Sequence, residues 1–423
     1  MSTHHQIVII GAGTAGITVA AQLKGKDKQL DVAIIDPADT HYYQAAWTLV
    51  GAGTFDFEKT ARPMKSVIPP GVKWIKDAVK GVDPDKNTIQ LASGDQVDYD
   101  YLVVCPGVIY DYDQVEGLGA AMNKGGVCSN YVDSKYTWEV LRNFKGGNAV
   151  FTQAATPIKC GGAPQKIMYL AADYFRKHGL ADKVNITFPM PGSVIFGVPE
   201  FAKTLMKVVD RYGIELRFFH KLTKVDAEKR QVHFKITAES SMIAGCFYSL
   251  NPNIKDLNPS ETDVVLEYDM LHLAPPQAAP YFIQESKLAF QEGPNKGWVN
   301  VNVNTLQHSQ YTNVFSLGDV AALPTAKTGA AVRKQAPVVV ENLLHVLHQE
   351  KELNPGYHGY SSCPLVTGYG KMVLAEFKYD NVRDSDKMIS TFVDTTQENY
   401  SMWLLKKYGL PFMYWNLMLK GKA

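Results

Sequence analysis

Apolar residues along this chain gather in short unbroken runs set between stretches of helical spacing. Gln6-Ile-Val-Ile-Ile10 leads into Gly11-Ala-Gly-Thr-Ala-Gly16 and then Ile17 to Leu23, which predicts a buried strand, a glycine turn and a helix. Asp31-Val-Ala-Ile-Ile-Asp36 predicts a second strand that ends on an acid and completes a βαβ unit. Further apolar runs predict strands within Tyr99 to Gly107, Gly147 to Gln153, Val184 to Phe188 and Thr312 to Asp319. Strands alternating with helices predict an α/β fold with two Rossmann-like domains.

The first unit carries recognisable chemistry. Gly11 permits the tight turn, Gly13 lets backbone N–H groups approach a pyrophosphate, and Gly16 lets the helix lie close on the strand. Asp36, at the end of the second strand, suits a ribose diol. A glycine turn by itself is common after strands; here the strand, the helix and the acid stand together. Far downstream, Gly318-Asp319 closes an apolar strand and is similar to the segment by which FAD proteins of this fold hold the ribityl chain. The strand ending at Gly107 is similar to their return from the FAD domain. The expected cofactor is FAD, in a discontinuous domain of residues 1–112 and 296–350. A second domain spans 113–295, and a C-terminal region 351–423.

The second unit departs from the first. After Gly147 to Gln153 the turn reads Ala154-Ala-Thr-Pro-Ile-Lys-Cys-Gly-Gly-Ala-Pro-Gln-Lys166, with a proline and a cysteine where phosphate-cradling glycines would be needed. The following strand runs into Pro189-Met-Pro-Gly192 without the acid that would hold an adenosine ribose. A nicotinamide donor is therefore disfavoured. Cys160 precedes a helix marked by Pro164 in its first turn, and that helix end together with Lys159 and Lys166 favours thiolate over thiol. The plainer alternative for Cys160 is a small buried hydrophobe behind a turn, and Cys363 alone is a loop cysteine.

Composition narrows the class further. With 46% hydrophobic and 20% charged residues the chain is globular, and a net charge of +1 leaves no basic field to draw nucleic acid. Five cysteines without CxxC spacing fit neither a secreted disulfide framework nor a zinc ribbon, and no metal site is expected. Too few residues precede the first apolar run for a secretory signal, so the chain reads as cytosol-facing or already processed. No uncharged run approaches the roughly 20 residues of a spanning helix.

Longer stretches resemble the sulfide:quinone oxidoreductases, in particular the branch that includes the mitochondrial enzyme and its bacterial relatives. The likeness runs through His41-Tyr-Tyr-Gln-Ala-Ala-Trp-Thr-Leu-Val-Gly-Ala-Gly53, Thr156 to Leu170, Leu323 to Ala331, Tyr360 to Tyr369 and Pro411-Phe-Met-Tyr-Trp-Asn416, and covers essentially the whole chain. It implies a glutathione-reductase-like fold with Cys160 and Cys363 as the redox pair, bridged directly or through sulfur. It also implies that Thr14, Ala15, Asp36, Gln44, Val79, Asp319, Lys327, Thr328, Gly329 and Ala330 contact FAD, beside Gly11, Gly13, Gly16, Gly107 and Gly318. Cys128 is a departure: another branch carries a third functional cysteine near this position, so it either attacks sulfur or touches the flavin, or else is structural. Cys105 and Cys246 match no family motif. The implied substrates are sulfide, a membrane quinone (ubiquinone or menaquinone) and a sulfur acceptor such as sulfite or glutathione.

Beyond Glu398 there is no acidic side chain, while Tyr400, Trp403, Tyr408, Phe412, Tyr414 and Trp415 alternate with Leu, Met and Lys406, Lys407, Lys420 and Lys422. Such a tail predicts a peripheral membrane protein, of the bacterial cytoplasmic membrane or, if the chain is processed, the mitochondrial inner membrane. The plainer alternative is an aromatic helix packed on the body or on another subunit of a homo-oligomer. Two other functions share parts of this pattern: an NADH:quinone reductase of the same fold, and a non-catalytic sulfide-sensing flavoprotein.

Overall fold

The computed structural model describes residues 2–254, 262–350 and 352–422. Strand Ser2–Ile10 lies between Val32–Ile35 and Gln96–Val104, parallel to both, with Val72–Ile75 parallel at one edge. Its side chains alternate between two cores: Ile7 and Ile9 face one, Val8 and Ile10 the other. Both faces of the sheet are covered, so the strand reads as an unbroken apolar run rather than as an alternation. The strand begins at Ser2, four residues before the apolar run, because ladder hydrogen bonds to Gln96–Tyr99 need no apolar side chain. His4 and His5 are held there by Asp100 and Asp31.

The downstream strand Val314–Ser316 returns to this sheet and pairs in parallel with Leu102–Val104. That pairing brings the Gly318-Asp319 turn beside the glycine turn; a Cβ on Gly318 would stand 3.3 Å from Cβ of Ala15. Helix Gly329–Leu347 then packs on helix Thr14–Lys26. A second sheet has the order Val127–Cys128, Met270–Leu273, Gly147–Thr152, Val184–Pro189, Glu215–Arg217 and Phe247–Tyr248, parallel except for the last pair. Two Rossmann-type sheets thus stand in one chain. Helix Ala163–Lys177 lies against an antiparallel hairpin, Ser361–Gly368 with Lys371–Lys378, that carries Cys363.

The C-terminal run is helical over Tyr400–Leu404 and Leu410–Asn416, joined by a π-turn at Leu405–Gly409. The sequence led us to expect one interfacial layer here, and the structure divides it between two faces. Met402 and Trp403 are buried in the core around helix Ala163–Lys177, whereas Tyr414, Met418 and Leu419 are buried beside helix Thr14–Lys26. Lys406 is buried too. Each buried side chain of this size is worth about 2–5 kcal/mol, and a domain's whole reserve is roughly 5–15 kcal/mol. A chain truncated before Tyr400 is therefore expected to lose cooperative thermal unfolding and go to the insoluble fraction, as calorimetry and sedimentation would read.

Candidate active site

Cys160 sits in the long connection between strand Gly147–Thr152 and helix Ala163–Lys177, the place a second dinucleotide turn would occupy. Its backbone is left-handed, with φ +51°, a conformation that costs a non-glycine residue about 1 kcal/mol. Three hydrogen bonds hold it: Cys160 N–H donates to Lys327 C=O at 2.7 Å, and Cys160 C=O accepts from Ala163 N–H at 2.8 Å and the Tyr131 hydroxyl at 3.0 Å. Cys363 comes from the hairpin opposite, and the two side chains are in hydrogen-bond contact. Both are unbridged thiols. Gly162 makes the approach possible, since a Cβ there would stand 2.4 Å from the Cys363 sulfur.

The electrostatics divide the two sulfurs. Contact with Cys363 holds the Cys160 thiol well below its usual range, aided by the charges of Lys166 and Lys406. Lys166 Nζ is 3.0 Å from the Cys160 sulfur. Cys363 is pushed up by the same contact and by burial, so it is the protonated partner. Two ammonium groups beside one thiolate repel each other. Lys166, in contact with the sulfur, stays charged, while burial and the Lys166 charge push Lys406 down to about 7. Lys406 Nζ donates to Ala45 C=O at 2.8 Å. The sequence did not single out Lys406, because a lysine in an aromatic tail has the look of a side chain reaching for water.

The other lysine and the other cysteines that the sequence singled out have different partners. Lys159 does not support the thiolate: it donates to Gln44 Oε1 at 2.6 Å and lies 5.0 Å over the Tyr110 ring. Cys128 is fully buried on strand Val127–Cys128, its thiol pushed up to about 12 by burial with Thr137 as hydrogen-bond partner. Among the described residues no hydrogen bond joins it to Cys160 or Cys363. Cys105 is buried beneath the glycine turn, 3.7 Å from Gly11 C=O, and Cys246 is buried at 3.6 Å from Met242 C=O.

The residues for FAD fit that group. A Cβ on Gly11 would meet Cys105 O at 2.4 Å, and one on Gly16 would meet Gly11 O at 1.9 Å, so both must be glycine for the turn to close. No side chain caps helix Thr14–Lys26, which leaves its first amides for a phosphate. Asp36 accepts Ala12 N–H at 2.7 Å at the adenosine end. At the other end a cleft is lined by Gly318, Lys327, Thr328, Ala331 and Gln335. Asp319 there has its carboxyl raised by desolvation, with Lys159 and Lys327 opposing, and Lys327 is pushed down to about 8 by burial. Gly107 has φ +78° just past strand Gln96–Val104, and Val79 opens strand Val79–Asp83. Thr14 turns elsewhere, its hydroxyl 2.9 Å from that of Tyr414.

A dinucleotide cleft whose wall is hydrogen-bonded directly to one cysteine of a close pair defines a flavin-dependent disulfide oxidoreductase. Residues 5–144 match the family model described as pyridine nucleotide-disulphide oxidoreductase. The chain is 38% identical over 421 residues to the mitochondrial sulfide:quinone oxidoreductase of Mus musculus, covering 99% of this chain and 87% of that protein. It is 40% identical over 422 residues to its Dictyostelium discoideum counterpart, covering 99% and 86%. The chain belongs to the sulfide:quinone oxidoreductase family. Its fold is also that of the Aquifex aeolicus sulfide:quinone oxidoreductase structure, with a TM-score of 0.74 at 19% identity over 98% of this chain and 92% of that one.

Removing the Lys166 charge is expected to raise the Cys160 pKa. Lys166→Met should then slow alkylation of Cys160 at neutral pH by about tenfold, measured by iodoacetamide labelling across a pH series. An unchanged rate would mean that Cys363 alone holds the thiolate.

Proposed function

We propose that this protein oxidises sulfide at Cys160 and Cys363 and passes two electrons through FAD to a quinone. The observation that carries this reading is the division of the pair: one sulfur stabilised as thiolate by contact with its neighbour and by the charges of Lys166 and Lys406, the neighbour disfavouring charge. In the oxidised protein the two sulfurs form a disulfide. The lysines draw HS⁻ to it. HS⁻ attacks the Cys363 sulfur, a new S–S bond forms, and the Cys160–Cys363 bond breaks with its electron pair on Cys160. The sulfur with the lower pKa is the better leaving group, which selects Cys160 as the thiolate and Cys363 as the persulfide. Lys166 then neutralises the released thiolate without moving, because it already lies in contact with that sulfur.

FAD, when bound, would supply the two-electron acceptor that returns the Cys160 and Cys363 thiolates to the disulfide once the sulfane sulfur has left, with quinone taking the electron pair. Gly11, Gly13, Ala15, Gly16 and Asp36 would hold its adenosine and phosphates, and Gly107, Gly318, Asp319 and Lys327 to Ala330 its flavin end, with Gln44 and Val79 along the same cleft. A sulfur acceptor such as sulfite or glutathione would take the sulfane sulfur from Cys363 and leave its thiolate. Cys128 has a structural role in this reading, since a thiol pushed up to about 12 is no nucleophile at neutral pH.

Quinone lives in lipid, and the C-terminal helices support a membrane-facing surface. Tyr400, Leu404, Tyr408 and Phe412 recur every fourth residue and are 38–65% exposed, and Phe392 on a neighbouring helix is 83% exposed. Large apolar side chains exposed to solvent in one segment suit the boundary of a lipid layer, with Lys407 beside Tyr408. No helix among the described residues is long and apolar enough to cross a membrane.

Replacing either Cys160 or Cys363 with Ser is expected to leave the protein yellow. Sulfide-dependent quinone reduction should fall by orders of magnitude, the scale of a lost covalent step. Cys128→Ser should be nearly silent. Steady-state assays with a soluble quinone read all three, and wild-type turnover in either of the first two variants refutes the mechanism.

A further inference from the structure

The last helix of the chain and its first glycine turn meet in a line of buried hydrogen bonds that the chemistry above leaves unused. His41 and Tyr414 are 3% and 6% exposed. His41 Nδ1 lies 3.0 Å from Ala12 C=O, His41 Nε2 lies 2.5 Å from the Tyr414 hydroxyl, and that hydroxyl lies 2.9 Å from the hydroxyl of Thr14. Each proton in the line can be assigned. A carbonyl only accepts, so Nδ1 carries hydrogen and donates to Ala12. Burial lowers the His41 pKa and keeps the ring neutral, which leaves Nε2 as an acceptor. Tyr414 therefore donates to Nε2, and its oxygen accepts from Thr14.

Packing fixes the line in place. The Tyr43 ring lies 4.5 Å from that of Tyr414, Trp415 meets His41 edge-on at 5.8 Å, and the Arg62 guanidinium lies 4.8 Å over Trp415. Its two ends, Ala12 and Thr14, flank Gly13 in the turn that leads into the uncapped N-terminus of helix Thr14–Lys26. With its hydrogen committed to Tyr414, the Thr14 hydroxyl does not donate to a phosphate oxygen.

We propose that Tyr414 and His41 are positioning residues for the dinucleotide turn, so that FAD affinity depends on a hydroxyl carried by the C-terminal helix. The proposal rests on the FAD reading of the cleft. It makes the tail a structural part of the cofactor site. Thr14 becomes an anchor of the turn and not a phosphate ligand.

The test is FAD binding to apoprotein prepared from the full chain, followed by flavin fluorescence. Saturable binding by the wild-type protein tests the cofactor reading itself; the variants test the clamp. Thr14→Val is expected to raise the dissociation constant about tenfold, the loss of one buried hydrogen bond, and Tyr414→Phe, which loses two, by at least as much. They break the same line, so the double variant should be no weaker than Tyr414→Phe alone. A purely structural role would lower the melting temperatures of apo and FAD-loaded protein equally and leave the dissociation constant unchanged, and that result overturns the proposal. So do multiplying effects in the double variant, which would mean that Thr14 binds FAD independently. If Tyr414→Phe does not fold, Thr14→Val carries the test from the other end.

Discussion

A thiolate inside a protein needs a positive charge beside it, and a buried ammonium needs a negative one. At Cys160 these two needs meet. Cys160 and Lys166 lie six residues apart, either side of the first turn of one helix, but Cys363 and Lys406 arrive from segments more than 200 residues downstream. The sulfur favours the charged form of both lysines, and their charges add to the contact with Cys363 in holding Cys160 low. The crossing of helix Ala163–Lys177 with the Cys363 hairpin, the absence of a Cβ at Gly162 and the burial of Lys406 within the π-turn all serve that one charge balance.

The same arrangement explains how the cysteine site and the cofactor cleft act as one unit. The Cys160 amide is bonded to the carbonyl of Lys327, on the segment that forms the flavin end of the cleft. Gly318 stands against Ala15, closing the cleft from the pyrophosphate end. The C-terminal helices touch both regions, through Lys406 at the cysteines and Tyr414 at the glycine turn, while presenting an apolar stripe to solvent. A segment with three duties cannot be a detachable anchor.

Local features of the fold were legible because local rules produce them. The Gly11–Gly16 turn, the acid at Asp36 and the doubly buried run Ile7–Ile10 each follow from steric and hydrogen-bonding needs within a few residues. Lys166 was legible as a partner of Cys160 because it sits near the start of the helix that Cys160 precedes. Lys159 has an equal claim by spacing, yet the left-handed Cys160 backbone separates the two and Lys159 points to Gln44. Lys406, His41 and Tyr414 were not legible, since their roles depend on how distant segments cross and no periodicity encodes that. The tail's hydrophobic excess was visible, but which side chains face the core depends on the π-turn, which resets the helical phase at Leu405–Gly409.

All of this turns on sulfide being the electron donor. Anaerobic titration of the FAD-loaded protein with sulfide and, separately, with NADH, while the flavin absorbance is followed, bears on that point without relying on any variant. Sulfide should bleach the flavin stoichiometrically and NADH should leave it oxidised, with added quinone restoring the colour. A flavin bleached by NADH and untouched by sulfide would contradict the assignment of Cys160 and Cys363 to sulfide chemistry.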